Sequence, residues 1–156
     1  KMIILGIDPG TRTTGYGLVT KTGRDVQHID NGLIVPLPKS PLPERLKEIY
    51  VHVQKLILEF KPQAIALEDL FVAKNARSSL ILGHARGVIM LAAADGGLPV
   101  YEYSPAQVKQ TVVGYGQATK EQIQKLVKIH LHLAEIASED ASDALAVALC
   151  HCQHSR

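Results

Sequence analysis

Four acidic residues stand where a charged group could take part in chemistry. Asp8 ends the apolar stretch ILGID, and Glu68 ends a second apolar stretch, AIALE. Asp140 and Asp143 lie three residues apart in EDASDALAVAL, a spacing that points both side chains to the same side of a helix. Carboxylate oxygens suit Mg²⁺ and Mn²⁺, and two such ions about 4 Å apart can clamp a phosphodiester for attack by water. The four acids are therefore a candidate metal-dependent catalytic site.

These acids form one site only if distant parts of the chain meet in space. In open α/β sheets, ligands collect at the carboxyl ends of strands, so Asp8 and Glu68 emerge side by side if their strands are parallel neighbours. Two like charges about 4 Å apart repel by roughly 4 kcal/mol at an effective dielectric of 20, so such a cluster requires cations or raised pKa values. Small residues would let the last helix lie close to the sheet: Ala141, Ala144, Ala146 and Ala148.

Each acid also has a simpler explanation. Asp8 is a suitable first residue of an Asp-Pro-Gly turn, and Glu68 is acceptable as a loop acid. Asp140 near a helix start is favoured by the helix dipole whatever its function. The spacing alone therefore supports a metal site without naming a substrate.

The periodicity of apolar residues predicts the elements that position the acids. Residues 2–7 and 16–21 are predicted strands, and a third strand over residues 26–36 is expected to break near Asn31-Gly32. One α/β domain over residues 1–156, with a mixed five-stranded sheet and right-handed crossovers, is predicted. The later elements, in order, are a helix with Pro43 in its first turn that is stopped by Lys61-Pro62, a strand over 63–68, a helix over 76–94, a strand over 99–103, a short helix after Ser104-Pro105, a helix through His130 opened by a Thr119/Gln122 capping box, and a last helix from Glu139 to about His151.

Composition narrows the class of protein only modestly. No apolar run in the 156 residues reaches the roughly 18 needed to span a membrane, and KMIILGID is too short an apolar stretch for a signal peptide, so a cytoplasmic protein is expected. Cys150 and Cys152 are too close in sequence to pair easily, which favours reduced thiols. A metal site that adds His151 and His154 is an alternative to a plain helix end. The net charge of +2 permits nucleic-acid binding without requiring it.

Four motifs give the chain a resemblance to a known family. GIDPGTRTTGYGLV, ALEDLFVAKNARSSLILGHARGV, VYEYSPAQVKQTVVGYGQATKEQI and DASDALAVAL occur in the order and spacing of the RuvC-type Holliday junction endonucleases, which have a ribonuclease H-like fold. The resemblance implies that the acids of these motifs, Asp8, Glu68, Asp140 and Asp143, are catalytic and bind two Mg²⁺ ions, with Mn²⁺ able to substitute. It also implies symmetric nicking of two strands of a four-way DNA junction during recombination and repair.

The same resemblance implies a set of DNA-contacting residues. Phe71 matches the aromatic that wedges into the junction centre, with a loop residue folded into the core as the alternative. Lys109 and Lys120 match basic positions that serve the DNA backbone and catalysis. Lys120 opens a helix, where the dipole disfavours a cation, and an anionic partner would resolve that misfit. Lys74 and Arg77 flank the loop of Phe71 and are candidate phosphate contacts, with ordinary surface charge as the alternative.

Partners are implied as well. The long helix after Asn75 is apolar on more than one face, which fits a homodimer interface, and the resemblance implies one there. Full burial of this helix inside a monomer is the alternative. His84 and Arg86, inside that helix, are candidates for contacts across this interface. The resemblance further implies a RuvA-RuvB branch-migration complex as a partner.

Three other functions are compatible with parts of the pattern. One is a ribosomal-RNA-processing nuclease of the same superfamily, and another is a non-catalytic junction-binding module whose acids are structural. The third is a kinase or chaperone of the actin and hexokinase type, which opens with a similar strand and turn. That third class needs two such domains around its nucleotide, and 156 residues supply one.

Overall fold

The computed structural model describes residues 1–69, 75–114 and 117–155. Its strands are β1 (Met2–Asp8), β2 (Thr14–Thr22), β3 (Asp25–Ile34), β4 (Ala64–Glu68) and β5 (Val100–Tyr103). They form one sheet with the order β3-β2-β1-β4-β5. The first three strands are an antiparallel meander, whereas β4 pairs in parallel with β1, and β5 pairs in parallel with β4. The predicted mixed five-stranded sheet is confirmed.

Helices cover both faces of the sheet in the described ranges. They are α1 (Leu42–Phe60), α2 (Ala76–Asp95), α3 (Pro105–Val113), α4 (Lys120–Leu131) and α5 (Glu139–His154). Because successive strand residues point to opposite faces, β1 contributes to two separate cores. Leu5 and Ile7 pack with buried residues of α1 and α2, while Ile4 packs with those of α3, α4 and α5.

Local capping signals set several helix boundaries as predicted. Ser104 and Thr119 each form a capping box with the glutamine three residues later, which satisfies backbone N–H groups that a helix start leaves free. Helix α1 ends at Lys61, whose left-handed backbone precedes Pro62. The last helix continues to His154, one turn beyond the predicted end near His151.

The third strand differs from its prediction. A break near Asn31-Gly32 was expected, but β3 runs without interruption from Asp25 to Ile34. The irregularity lies earlier, because Leu18 pairs with Asp30 while the next residue, Val19, pairs with His28. Ile29 is therefore an extra residue opposite β2, which is the arrangement of a β-bulge.

Helix α2 leaves much of its apolar surface uncovered. Ala85, Ile89, Ala92 and Ala93 are its buried residues, and they pack mainly against α1. Leu80 and Leu91 remain 67% and 55% exposed. No helix in the described ranges is both long enough and apolar enough to cross a membrane.

Candidate active site

Three acidic side chains meet at the carboxyl end of β1. Asp8 ends that strand, and Asp140 and Asp143 lie in the first two turns of α5. One carboxylate oxygen from each of the three residues lies within 4.8 Å of the others. We call this group the acid trio. It joins residues that are more than 130 positions apart in the sequence.

Glycines in the strands allow α5 to come this close. A Cβ atom at Gly15 would collide with the carbonyl group of Asp140, and one at Gly6 would collide with the carbonyl oxygen of Ala144. The helix contributes small residues of its own, as the sequence predicted, and Ala141 and Ala144 are buried. The backbone of α5 therefore lies directly on β1 and β2, which carries its aspartates to the end of β1.

The trio is strained electrostatically. Burial raises the pKa of Asp8 to about 8, with further contributions from Asp143 and Asp140. Burial also raises the pKa of Asp143, and the ammonium group of Lys120 opposes that shift. Bringing these carboxylates together without a cation costs free energy, which the site lowers by holding protons or positive charge.

Glu68 lies beside the trio and outside it. Ile7 and Leu67 are partners in the parallel pairing of β1 and β4, so Glu68 leaves its strand next to Asp8. It lines a cleft of about 220 Å³ together with Lys109, Lys120 and Asp143. Burial and Asp143 raise the pKa of Glu68, while Lys120 and Lys109 act in the opposite direction. The four predicted acids thus occupy one region, with three in direct proximity.

Lys120 has its anionic partner within the protein. It is the first residue of α4, and its Nζ lies 2.9 Å from Oδ2 of Asp143 and 3.8 Å from Oε1 of Glu139. These carboxylates raise the pKa of Lys120 despite the opposing effect of burial. The side chain is 59% exposed, so the ammonium group faces both the acids and the solvent.

Sequence reasoning missed the role of Arg86. Its Nη1 donates a hydrogen bond of 2.7 Å to the backbone oxygen of Glu68, and its Nη2 lies 2.9 Å from Oε2 of Glu102 on β5. The Arg86 side chain is only 12% exposed. The guanidinium of Arg86 is thus engaged inside the chain, and its contact with a dimer partner stays a prediction. A cation in the middle of a largely apolar helix was the available signal, since a buried charge needs a partner.

Of the other residues predicted to contact DNA, one lines the cleft and one lies on the exposed surface. Lys109, on α3, lines the cleft with Glu68. Arg77 is exposed in the first turn of α2 and forms no ion pair with any residue of the described ranges. Phe71 and Lys74 lie outside the described residues. His84, which was predicted to lie at a dimer interface, bonds through its ring to the backbone oxygen of Leu80.

The donor set of the acid trio suits a hard divalent cation. All its ligating atoms are carboxylate oxygens, which Mg²⁺, Mn²⁺ and Ca²⁺ accept. Over residues 1–69, 75–114 and 117–155, no other set of three ligating side chains comes together in this way. Cys150 and Cys152 are buried free thiols, and their neighbour His151 bonds to the hydroxyl group of Tyr103 instead.

A mixed sheet of this order, with carboxylates gathered where β1 and β4 end, defines a ribonuclease H-like fold. The family model described as crossover junction endodeoxyribonuclease RuvC matches residues 4–151. The chain belongs to this family, and the resemblance seen in its motifs is confirmed.

Individual relatives are similar over nearly the whole chain. The crossover junction endodeoxyribonuclease RuvC of Syntrophotalea carbinolica is 57% identical over 96% of this chain and 93% of that protein. The protein of the same description from Citrifermentans bemidjiense is 53% identical over 96% and 92%. The structure of T. thermophilus RuvC in complex with Holliday junction substrate has a TM-score of 0.93 and 34% identity, covering 100% of this chain and 96% of that one.

Proposed function

We propose that this chain is a Holliday junction resolvase, an endonuclease that nicks two symmetric strands of a four-way DNA junction in recombination and repair. The acid trio is the observation that carries the proposal, because a phosphodiester nuclease needs such a ligand set and a general DNA-binding module does not. The relatives support the substrate: two are named crossover junction endodeoxyribonucleases, and the T. thermophilus structure holds a Holliday junction.

Asp8, Glu68, Asp140 and Asp143 would hold Mg²⁺, with two ions in the site and Mn²⁺ as a substitute. Bound there, the ions would activate water and stabilise the charge of the leaving 3′ oxygen. Asp8 has a rigid position because it ends β1, a central strand that lies between β2 and β4, and it pairs with Gly15 of β2. Asp140 and Asp143 contribute the rigidity of a buried helix whose start is capped by Ser138.

The cations of the cleft have a separate task. Lys120 compensates the acid charge of the free protein through Asp143, and its exposed ammonium group is close enough to attract a scissile phosphate once metal ions satisfy the acids. Lys109 lines the same cleft on the side of Glu68. Lys74 and Arg77 bind the DNA backbone, and Phe71 wedges into the junction centre.

A homodimer supplies the second active site that symmetric nicking requires. The exposed apolar residues of α2, including Leu80 and Leu91, form its interface, because a two-fold dimer matches the two-fold symmetry of a junction. A RuvA-RuvB branch-migration complex acts with this dimer on the same junction.

The test is a cleavage assay on a synthetic four-way junction, with linear duplex DNA and structured RNA as competing substrates. The parent chain should cut the junction in Mg²⁺, Asp8→Asn should reduce the rate at least about 1,000-fold, and Asp25→Asn should not. Asp25 is a matched control because it is an exposed acid at the start of β3, at the opposite end of the strands from the acid trio. Preferential cutting of RNA would replace this function with RNA processing, and unchanged cutting by Asp8→Asn would remove the catalytic assignment.

A further inference from the structure

A second charged feature lies at the same end of the strands as the acids, the end where β1 and β3 finish. Arg12, Lys39 and Arg45 line a groove of about 500 Å³, with Val35 and Leu37 on its walls and no acidic residue among its lining. We call it the basic groove. Its three cations come from three separate segments: the β1–β2 loop, the loop after β3, and the first turn of α1.

The charges of the basic groove are not neutralised by the protein. In the part of the chain that the structure describes, neither Arg12, Lys39 nor Arg45 forms an ion pair, whereas Arg86 and Lys120 do. Arg45 donates through Nη1 to the backbone oxygen of Ser40 at 3.1 Å, and its buried Nε has no acceptor. Three unpaired cations around one concavity attract an anion with more than one charge.

The groove lies at a defined distance from the acid trio. Asp8 pairs with Gly15 across β1 and β2, and Gly15 pairs with Leu33 across β2 and β3. Two strand spacings therefore separate Asp8 from Leu33, which is about 9.5 Å. The lining of the groove begins two residues later, at Val35. Successive phosphates of one DNA strand are farther apart in space than their rise of roughly 3.4 Å along the helix axis, so the groove lies within a few nucleotides of the acids.

The segments that carry the cations are held in place. The fully buried Thr14 accepts a hydrogen bond from the Gly10 backbone N–H and donates one of 2.7 Å to the Gly10 carbonyl oxygen. This pair of bonds closes the loop that begins after Asp8 and contains Arg12. Pro36 and Pro38 restrict the backbone on the other wall. Asp8 and Arg12 are therefore linked by a short loop that these two hydrogen bonds hold in place.

We propose that the basic groove binds the phosphate backbone of the substrate DNA beside the scissile position. The inference rests on the proposed function, since it concerns the same substrate. Arg12 and Lys39 contact phosphate oxygens, Arg45 supplies charge at the base of the groove, and the apolar walls at Val35 and Leu37 contact sugars. The groove fixes which phosphate reaches the acids by holding the strand a few nucleotides away.

The first experiment measures junction binding without divalent ions, so that no cleavage occurs. The double variant Arg12→Ala/Lys39→Ala is compared with Arg24→Ala/Lys55→Ala, which removes the same two charges from exposed positions. Arg24 lies in the β2–β3 turn, at the opposite end of the strands. The groove variant should bind at least about 10-fold more weakly at low salt, with the slope of log K against log salt lower by 1 to 2. The control should lose less than about 3-fold. Equal losses in both variants would overturn the proposal.

The second experiment locates the contact on the DNA. A neutral methylphosphonate replaces one phosphate at a time around the scissile bond. For the parent chain, replacement at one or two positions within a few nucleotides of the scissile bond should weaken binding, and for the groove variant the same replacement should add little, because the partner is already lost. Additive losses at every position would contradict a contact between groove and backbone.

The two proposals fail in different ways. If the parent binds and cuts the junction while the groove variant matches its control in both experiments, only the groove inference falls. If the parent does not bind the junction at all, the proposed function falls and the groove inference falls with it.

Discussion

Nζ of Lys120 lies 2.9 Å from Oδ2 of Asp143, so the protein supplies a cation of its own to the acid trio. The pairing explains why a lysine begins α4, a position that the helix dipole disfavours. It also means that a metal ion entering the site meets a carboxylate that already has a positive partner. Lys120 is therefore a stand-in for metal charge when metal is absent.

Removal of this cation should destabilise the metal-free protein. We expect Lys120→Ala to lower the melting temperature by about 1–3 °C in chelator, since a half-exposed ion pair contributes less than about 1 kcal/mol. Millimolar Mg²⁺ should remove most of that difference. Thermal unfolding with and without Mg²⁺ measures it, with the exposed Lys125→Ala on the same helix as control. A deficit that persists unchanged in Mg²⁺ would contradict the stand-in role.

The raised pKa of Asp8 makes the stability of the metal-free protein depend on pH. The unfolded carboxyl titrates near 3.8 and the folded one at about 8, so between these values the folded state holds a proton that the unfolded state has released. Stability from this group is complete below pH 3.8 and falls as pH rises toward 8, by up to about 1.4 kcal/mol per pH unit.

Asp8→Asn should remove that dependence. Urea unfolding at pH 5 and pH 8 in chelator should show a smaller loss of stability for the variant than for the parent over the same interval. Asp25→Asn, far from the trio, should behave like the parent. A parent and an Asp8→Asn variant that lose the same stability would show that Asp8 is not protonated in the folded protein.

Gly15 should tolerate no side chain. We expect Gly15→Ala to push the Asp140 backbone away from β2, with a cost of about 1–3 kcal/mol and a cleavage rate reduced at least about 10-fold. Thr22→Ala, at the exposed end of the same strand, is the control. Both quantities come from thermal unfolding and single-turnover cleavage. A Gly15→Ala protein of parental activity would mean that the close approach of α5 does not position the acids.

Arg86 should act as a positioning residue for Glu68. Its hydrogen bond holds the Glu68 carbonyl oxygen, so Arg86→Ala should reduce kcat about 10- to 100-fold, raise the Mg²⁺ concentration needed for half-maximal rate, and leave junction affinity in Ca²⁺ nearly unchanged. Arg86→Lys should rescue part of the loss. Glu102→Gln, which keeps the bond to Glu68, should be milder. A loss of affinity in proportion to the loss of rate would indicate a structural role only.

Much of the fold was predictable because its signals are local. Capping boxes, Pro and Gly positions and apolar periodicity lie within a few residues of each other, and they located the start of α2 at Ala76 and that of α4 beside Thr119. The bulge at Ile29 was not predictable in the same way, because it depends on the register against β2. The Asn31-Gly32 pair is typical of a turn that ends a strand, yet its pairing with β2 keeps both residues in β3.

The candidate site was predictable in its residue types and less so in its support. The four acids stand out by their positions after apolar strands and in one helical motif. The alanines of α5 were recognised, but the matching glycines at Gly6 and Gly15 lie on other strands, and only tertiary contact shows that they face the helix. The bond from Arg86 to Glu68 likewise joins residues 18 positions apart through a backbone oxygen, so the sequence signals a charge inside α2 but does not identify its partner.

The most direct test of the central claim places a sulfur atom on the scissile phosphate of a synthetic junction. If divalent ions held by the acids contact a non-bridging oxygen of that phosphate, its replacement by sulfur should slow single-turnover cleavage at least about 10-fold in Mg²⁺. Mn²⁺, which accepts sulfur more readily, should restore most of the rate. Cleavage slowed equally in Mg²⁺ and Mn²⁺, or not slowed at all, would contradict a metal ion at the reacting phosphate.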